Sequence, residues 1–581
     1  MMRQNQSNQK NFIQICVIAL SIIGLLTCIA VLFPQVRHAI LEFVEQSRNK
    51  KIFEYHAWFN AFISYAIGGI CFILFIDYCM LTNSGRSLVR KVDCEIRECL
   101  SEIDFRSLIK PTVIMFGIYL LGILTIIRAN YLYMDDIGRA VEGYRIWYPW
   151  SRYVAEVATI FMHADTNLTD ISPLTQLLAV LILSISSVLL VYLLGNKKIT
   201  TIRLLASMPL GLSPYFLECV SFKFDAPYMA FSILICIVPF LFINRKKAFV
   251  FCSIVSLLLM CMTYQAASGV YGMIVLALGF QYWNSRAKLT KEIFSFMGIA
   301  VFAFCAAMLI FRFFLMKHPD ADIDTSGSIH PVSQIVSGTL NRIMAYATVI
   351  NQDFGITWKI GIALVCILFI AKSIQVSAHK KISSFLVSTV VIGLSFIASY
   401  GVYSLLQIDT FPPRMMYGFG VFLAIVCIYV VSDYKKMAIV AVLALHWCLF
   451  VFAFSYGNAL ADQERYAKFR IGILLHDLSS LYPEKIEDHI QIQLENSIDH
   501  APSIKNISKH YPIIERLIHR RLGADFYWDY MYYLTHFNFI PAEPVNGLAT
   551  DFKQSDLPVV LDSYYHTIQS DGSRILVVLK H

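Results

Sequence analysis

Charged side chains are scarce in this sequence. Lys, Arg, Asp and Glu make up 15% of the 581 residues, whereas 57% are hydrophobic. A soluble globular chain carries about 25% charged residues. The deficit is concentrated in long uncharged runs, a membrane signature rather than one large soluble core. Cysteine is missing after Cys448, and most of the 14 cysteines fall inside apolar runs. There a thiol is usually a small packing residue. Cys94 and Cys99 lie in a basic loop without metal-site spacing, so no structural disulfide is expected. Walker A, Rossmann, HExxH and CxxC patterns are also lacking. That argues against ATP hydrolysis and nucleotide-cofactor chemistry, but leaves a transporter open. Long acidic or basic tracts are absent too. The formal charge of +8 comes from short scattered clusters, which read as topology determinants and not as a nucleic-acid surface.

What is present is a series of apolar runs near the length that crosses a bilayer, about 20 residues in helical form. In lipid the backbone must satisfy itself within each segment, so the runs are read as helices. They cover 12–33, 57–82, 111–128, 172–194, 203–221, 226–243, 248–264, 266–283, 294–316, 356–371, 383–407, 415–432 and 437–456, about 13 spans in all. The first resembles a signal peptide but is too long and lacks a cleavage site, so an anchor is expected. With the N-terminus in the cytoplasm, the loops 83–110, 195–202, 244–247, 284–293, 372–382 and 433–436 face inward, and nearly all carry Lys or Arg clusters. The opposite side receives the long loop 129–171, the link 222–226, the loop 317–355, the link 408–414 and the tail 457–581.

The tail reads as a small α/β domain. Residues 459–480 are amphipathic, 491–494 alternate like a strand, 503–520 look helical, and 575–579 form a buried-strand run. The expected class is therefore an all-α polytopic membrane protein with a small extracytoplasmic α/β domain. Three parts are expected: 1–110 with two spans and a basic loop, a membrane domain at 111–456, and the tail at 457–581.

Chemistry-bearing residues gather on the outward side. Asp135 and Asp136 stand together just beyond a span, where ionised groups are costly. They permit three readings: a general base for a hydroxyl, a site for a divalent cation, or a helix cap. No cofactor is required by the sequence, and no residue is assigned to a metal. Arg139, Tyr144, Trp147, Tyr148, Trp150, Arg152 and Tyr153 follow in the same loop. Interfacial aromatics anchor proteins in headgroups, and they also form platforms for sugar faces. Glu218, Lys223 and Asp225 crowd a short turn between two spans, more polar groups than a connector needs. Lys223 either clamps Asp225 or meets a phosphate. Tyr264 and Gln265 sit at a break between spans, as a helix–helix bond or a ligand contact. Arg342 and Arg414 lie near the outward boundary, where an anionic headgroup is the general expectation.

The succession Tyr133-Met134-Asp135-Asp136-Ile137-Gly138-Arg139, then Trp147 to Arg152, then Glu218-x-x-Ser221-Phe222-Lys223-Phe224-Asp225-x-Pro227, then Tyr264-Gln265-Ala266 resembles the bacterial GtrII-type glucosyltransferases. These include the serotype-converting O-antigen enzymes of enteric bacteria and their phages. The similarity runs from about residue 111 into the tail. Two departures stand out: Ser151-Arg152-Tyr153 replaces a frequent Gly-Arg-Pro, and the two spans before residue 111 are additional. The resemblance implies a GT-C architecture in the bacterial inner membrane, with the tail in the periplasm. It implies a polyprenyl-phosphate sugar donor, a lipid-linked or polymeric glycan acceptor, and usually inversion. It places the base at Asp135 or Asp136 and puts Arg139, Arg152, Lys223 and Asp225 at motif positions. Partners implied are membrane lipids, a flippase and a polyprenyl-phosphate glucosyltransferase, with no nucleic acid. Two other classes stay open: a flippase or transporter of lipid-linked sugars, and an O-antigen polymerase or ligase.

Overall fold

A computed structural model describes residues 69–286, 291–316, 329–407, 410–433, 435–482, 491–522, 536–537 and 557–580. The expected first span (12–33) and the start of the second lie outside these residues, as does the aromatic stretch 527–533.

Among the described residues seven helices are long and apolar enough to cross a membrane: Phe105–Ala129, Leu174–Leu194, Gln265–Ser285, Lys291–Leu315, Ile356–Val376, Lys381–Ala398 and Lys436–Leu481. Four shorter apolar stretches accompany them, at Gly69–Leu81, Thr201–Leu212, Ala226–Phe242 and Gly418–Asp433. Thirteen continuous spans are therefore not confirmed among the described residues. Proline explains part of the difference, because it lacks a donor and clashes with the preceding turn. The run 203–221 is cut at Pro209 and Pro214 into Thr201–Ala206, Pro209–Leu212 and Pro214–Ser221. Ser213 restarts the last piece by accepting the Phe216 N–H. The opposite departure occurs at 437–456, which continues without a break into the amphipathic 459–480 as one 46-residue helix.

That long helix organises the molecule. Its first half lies along Phe105–Ala129, where Gly457 meets Thr125 and the Thr125 hydroxyl donates to Ala453 O at 3.2 Å. Small residues at such a contact let two backbones approach closely. Its second half is the floor of the tail. Ile471, Leu474 and Leu478 pack against Ile492, Leu494, Ile568, Ile575 and Val577 of a four-stranded sheet. The strands are β1 (Gln491–Glu495), β2 (Val559–Asp562), β3 (His566–Ser570) and β4 (Arg574–Leu579). Their order is β1-β4-β3-β2, with β1 parallel to β4 and the other pairs antiparallel. Both strands expected from sequence are present. The expected helix 503–520 is two pieces, Pro502–His510 and Ile514–Leu517.

The loops with basic clusters meet at one end of the bundle. Lys197 pairs with Glu102, Arg245 with Glu98 and Lys372 with Asp433. The candidate residues of the other loops meet at the opposite end.

Candidate active site

The first loop turns sharply before its short helix. Phe105–Ala129 ends at Asn130 in the left-handed region (φ 48°), and Met134 takes a second such residue (φ 46°). Two reversals swing Asp135 and Asp136 back over the bundle, where Asp136–Glu142 begins. Gly143 closes that helix at φ 69°, and a Cβ there would strike Asn167.

Asp136 is fully buried. Its Oδ2 accepts the Lys223 N–H at 2.9 Å and the Tyr133 N–H at 3.3 Å, while Oδ1 has no partner among the described residues. One carboxylate thus ties the first loop to the 222–226 link. Burial dominates its titration and raises its pKa to about 7, against the opposing pull of Arg139 and the Lys223 N–H. Arg139 ion-pairs with Asp225, and both are buried. The Trp147 indole N–H donates to the same Asp225, and the Arg139 guanidinium lies 4.4 Å from the Trp147 ring centre. Burial alone would raise Asp225; the Arg139 charge and these two hydrogen bonds outweigh it and hold the carboxyl below its ordinary value.

Lys223 does not clamp Asp225. Its Nζ donates to Asp170 at 2.9 Å and to Asn130. Glu218, also fully buried, lies 3.1 Å from the Tyr133 hydroxyl and 3.7 Å from Arg414 Nη1. Three carboxylates are therefore consumed by three cations. Two groups are not. Asp135 is half-buried and accepts no side-chain hydrogen bond among the described residues, although Arg139 and Arg414 both feel its charge. Arg152 stacks 4.5 Å from the Tyr264 ring centre and has no acidic hydrogen-bonding partner among them; its Nε is buried and unpaired. Tyr264 is itself buried and stacked on Tyr417, and Gln265 Nε2 donates to Trp150 O at 3.0 Å, which fixes the aromatic loop.

Trp147 and Arg342 have the following surroundings. Trp147 is 1% exposed, whereas Tyr148 and Trp150 are exposed rings of the same loop. Arg342 donates to the Tyr400 hydroxyl at 2.9 Å and to Thr410 O at 2.6 Å, with its guanidinium 3.7 Å from the Phe411 ring centre. Asp136 spends Oδ2 on two N–H groups, cations surround the pair, and no three His, Cys, Asp or Glu side chains group suitably among the described residues.

The tail supplies residues that no local pattern announces. The Tyr133 hydroxyl lies 2.6 Å from Leu517 O, His519 meets the Tyr133 ring edge-on, and Arg521 covers the Tyr131 ring at 4.1 Å. Arg516 pairs with buried Asp353 and reaches Phe411 O, while Asp353 accepts from Tyr215 at 2.7 Å. The segment 513–522 therefore braces the outward loops. Its basic character (Arg516, His519, Arg520, Arg521) was the only available signal in sequence.

The chain is similar to a protein of Salmonella phage P22, described as an uncharacterized 55.3 kDa protein in the gtrB 5' region. The two share 23% identity over 435 residues, covering 72% of this chain and 88% of the phage protein. No solved structure matches. The family model for glucosyl transferase GtrII matches residues 124–425, just over half of the 581. That stretch holds Asp135, Asp136, Arg139, Arg152, Glu218, Lys223, Asp225 and Arg414 alike, and the chain belongs to the GtrII glucosyltransferase family.

Proposed function

We propose that this protein moves a single sugar, glucose by family, from a polyprenyl-phosphate donor to O-antigen or a related surface glycan at the outer face of the inner membrane. The observation that carries the reading is the pairing pattern. Among the described residues Asp225, Asp170 and Glu218 are matched by Arg139, Lys223 and Arg414, whereas Asp135 and Arg152 have no side-chain ion-pair partner, which supports their meeting a substrate.

In this scheme the acceptor hydroxyl gives its proton to the Asp135 carboxylate as its oxygen bonds to the anomeric carbon. The bond from that carbon to the phosphate oxygen breaks on the opposite face, which inverts the centre. The leaving group is a phosphate monoester and needs positive charge more than a proton. Arg152 supplies a planar guanidinium suited to it, with Arg414 nearby. Asp136, Arg139, Asp225 and Lys223 hold the two loops in register.

Lipopolysaccharide mass spectra from a deletion strain, complemented with wild type or Asp135→Asn, test this. Wild type should restore one hexose per repeat, and the variant should not, although it reaches the membrane. A general base contributes about 10²–10⁴-fold, so residual transfer should be at most about 1%. Full activity in the variant would remove Asp135 as base. Altered chain length in the deletion strain would instead favour a polymerase or ligase, and transport in vesicles without acceptor would favour a flippase.

A further inference from the structure

The helices that carry the carboxylate cluster also have far ends. Leu174–Leu194 begins after Asp170 and leads to the Gly195–Lys198 turn, while Gln265–Ser285 ends at Arg286. Ala226–Ile237 begins after Asp225 and continues through Val238–Phe242. At 1.5 Å per residue a helix of this length separates its ends by about 30 Å. Between the far ends lies a cavity of about 550 Å³. It is unconnected with the chemistry described above.

Its charge is unbalanced. Lys197, Arg203, Arg286 and Lys372 line it, against Glu102 and Asp433. Lys197 answers Glu102 and Lys372 answers Asp433. Arg286 turns to exposed Glu292. Arg203 is left over: among the described residues its Nη atoms donate only to the backbone carbonyls of Gly195, Lys198 and Ser432. Its Nε is buried without a partner among the described residues. Asn284, 3% exposed in the same lining, has an Oδ1 that is likewise buried and unpartnered. A buried donor and a buried acceptor left unpaired beside an open volume are costly unless something enters. Part of the lining is apolar, with Phe240, Leu278 and Val376.

We propose that this cavity binds the headgroup of an anionic phospholipid from the leaflet at the basic end. The phosphate would sit against Arg203, a headgroup hydroxyl would donate to Asn284 Oδ1, and the chains would follow the apolar walls. A zwitterionic lipid would bring a second cation to a wall that already has an excess.

The test is lipid retention by the full-length protein. Protein stripped in detergent is exposed to phosphatidylcholine alone or with phosphatidylglycerol, and bound lipid is counted by native mass spectrometry. The wild type should keep one phosphatidylglycerol in preference to phosphatidylcholine. Arg203→Gln should weaken retention about fivefold, the value of one basic residue at a lipid surface. Lys197→Gln, at an exposed position, should do so more weakly and guards against misfolding of the first variant. Arg128→Gln, at the other end of the bundle, should change nothing. Millimolar inorganic phosphate should not displace the lipid; equal displacement would mean a free-phosphate site and overturn the lipid assignment. Equal retention in wild type and both cavity variants, or no preference for the anionic lipid, would overturn the proposal altogether.

Discussion

Asp136→Asn should flatten the pH dependence of stability. The carboxyl is fully buried, and burial moves its pKa from 3.8 to about 7. A carboxyl whose folded pKa is raised contributes stability that is complete below its unfolded value. That contribution is lost as pH rises through the folded value, because the ionised form must then be buried. The whole difference is worth roughly 4 kcal/mol, of which about 2.5 kcal/mol falls between pH 5 and 8. Asparagine suits the site. Its Oδ1 can take the place of the aspartate oxygen that accepts from Lys223 and Tyr133, and its amide can occupy the position now without a partner. Denaturation of the detergent-purified protein across that range should show the wild type weakening toward pH 8, with the variant flatter by about that amount. Parallel pH profiles would refute the reasoning, since the slope would then belong to other groups.

Three further outcomes follow from the packing. Arg139→Gln and Asp225→Asn should each cost about 3–5 kcal/mol, by leaving a buried charge unpaired, whereas the double variant should cost clearly less than their sum in a thermal-unfolding cycle. Gly457→Ala should lower the unfolding temperature, because its Cβ would stand 2.6 Å from the Thr125 carbonyl carbon. Overpacking of this kind costs about 1–3 kcal/mol. Gly117→Ala, with nothing within 4 Å, is the neutral control. Arg516→Gln should make the tail more sensitive to limited proteolysis, because it removes the cation that pairs with Asp353 and weakens the contact to Phe411 O. Unchanged cleavage would mean that the remaining tail contacts suffice.

The sequence by itself determined the class of the molecule, because the bilayer imposes its rule on local composition: apolar runs must be helices, and basic loops must share a side. Strand alternation at 491–494 and the apolar run at 575–579 were readable for the same reason, as each is a local period. Motif residues in the first loop, the 222–226 link and the 264–265 break could be gathered by order and spacing. Which of them pair could not. Lys223 chooses Asp170 over nearby Asp225, Asp136 is spent on backbone N–H groups while Asp135 is left open, and Trp147 turns inward. Local pattern also missed the prolines' division of 203–221, the continuous helix through 437–480, and the tail segment that braces Tyr133. Those outcomes depend on which charge reaches which partner across helices distant in sequence. Burial makes each such pairing decisive, and only the tertiary structure sets it.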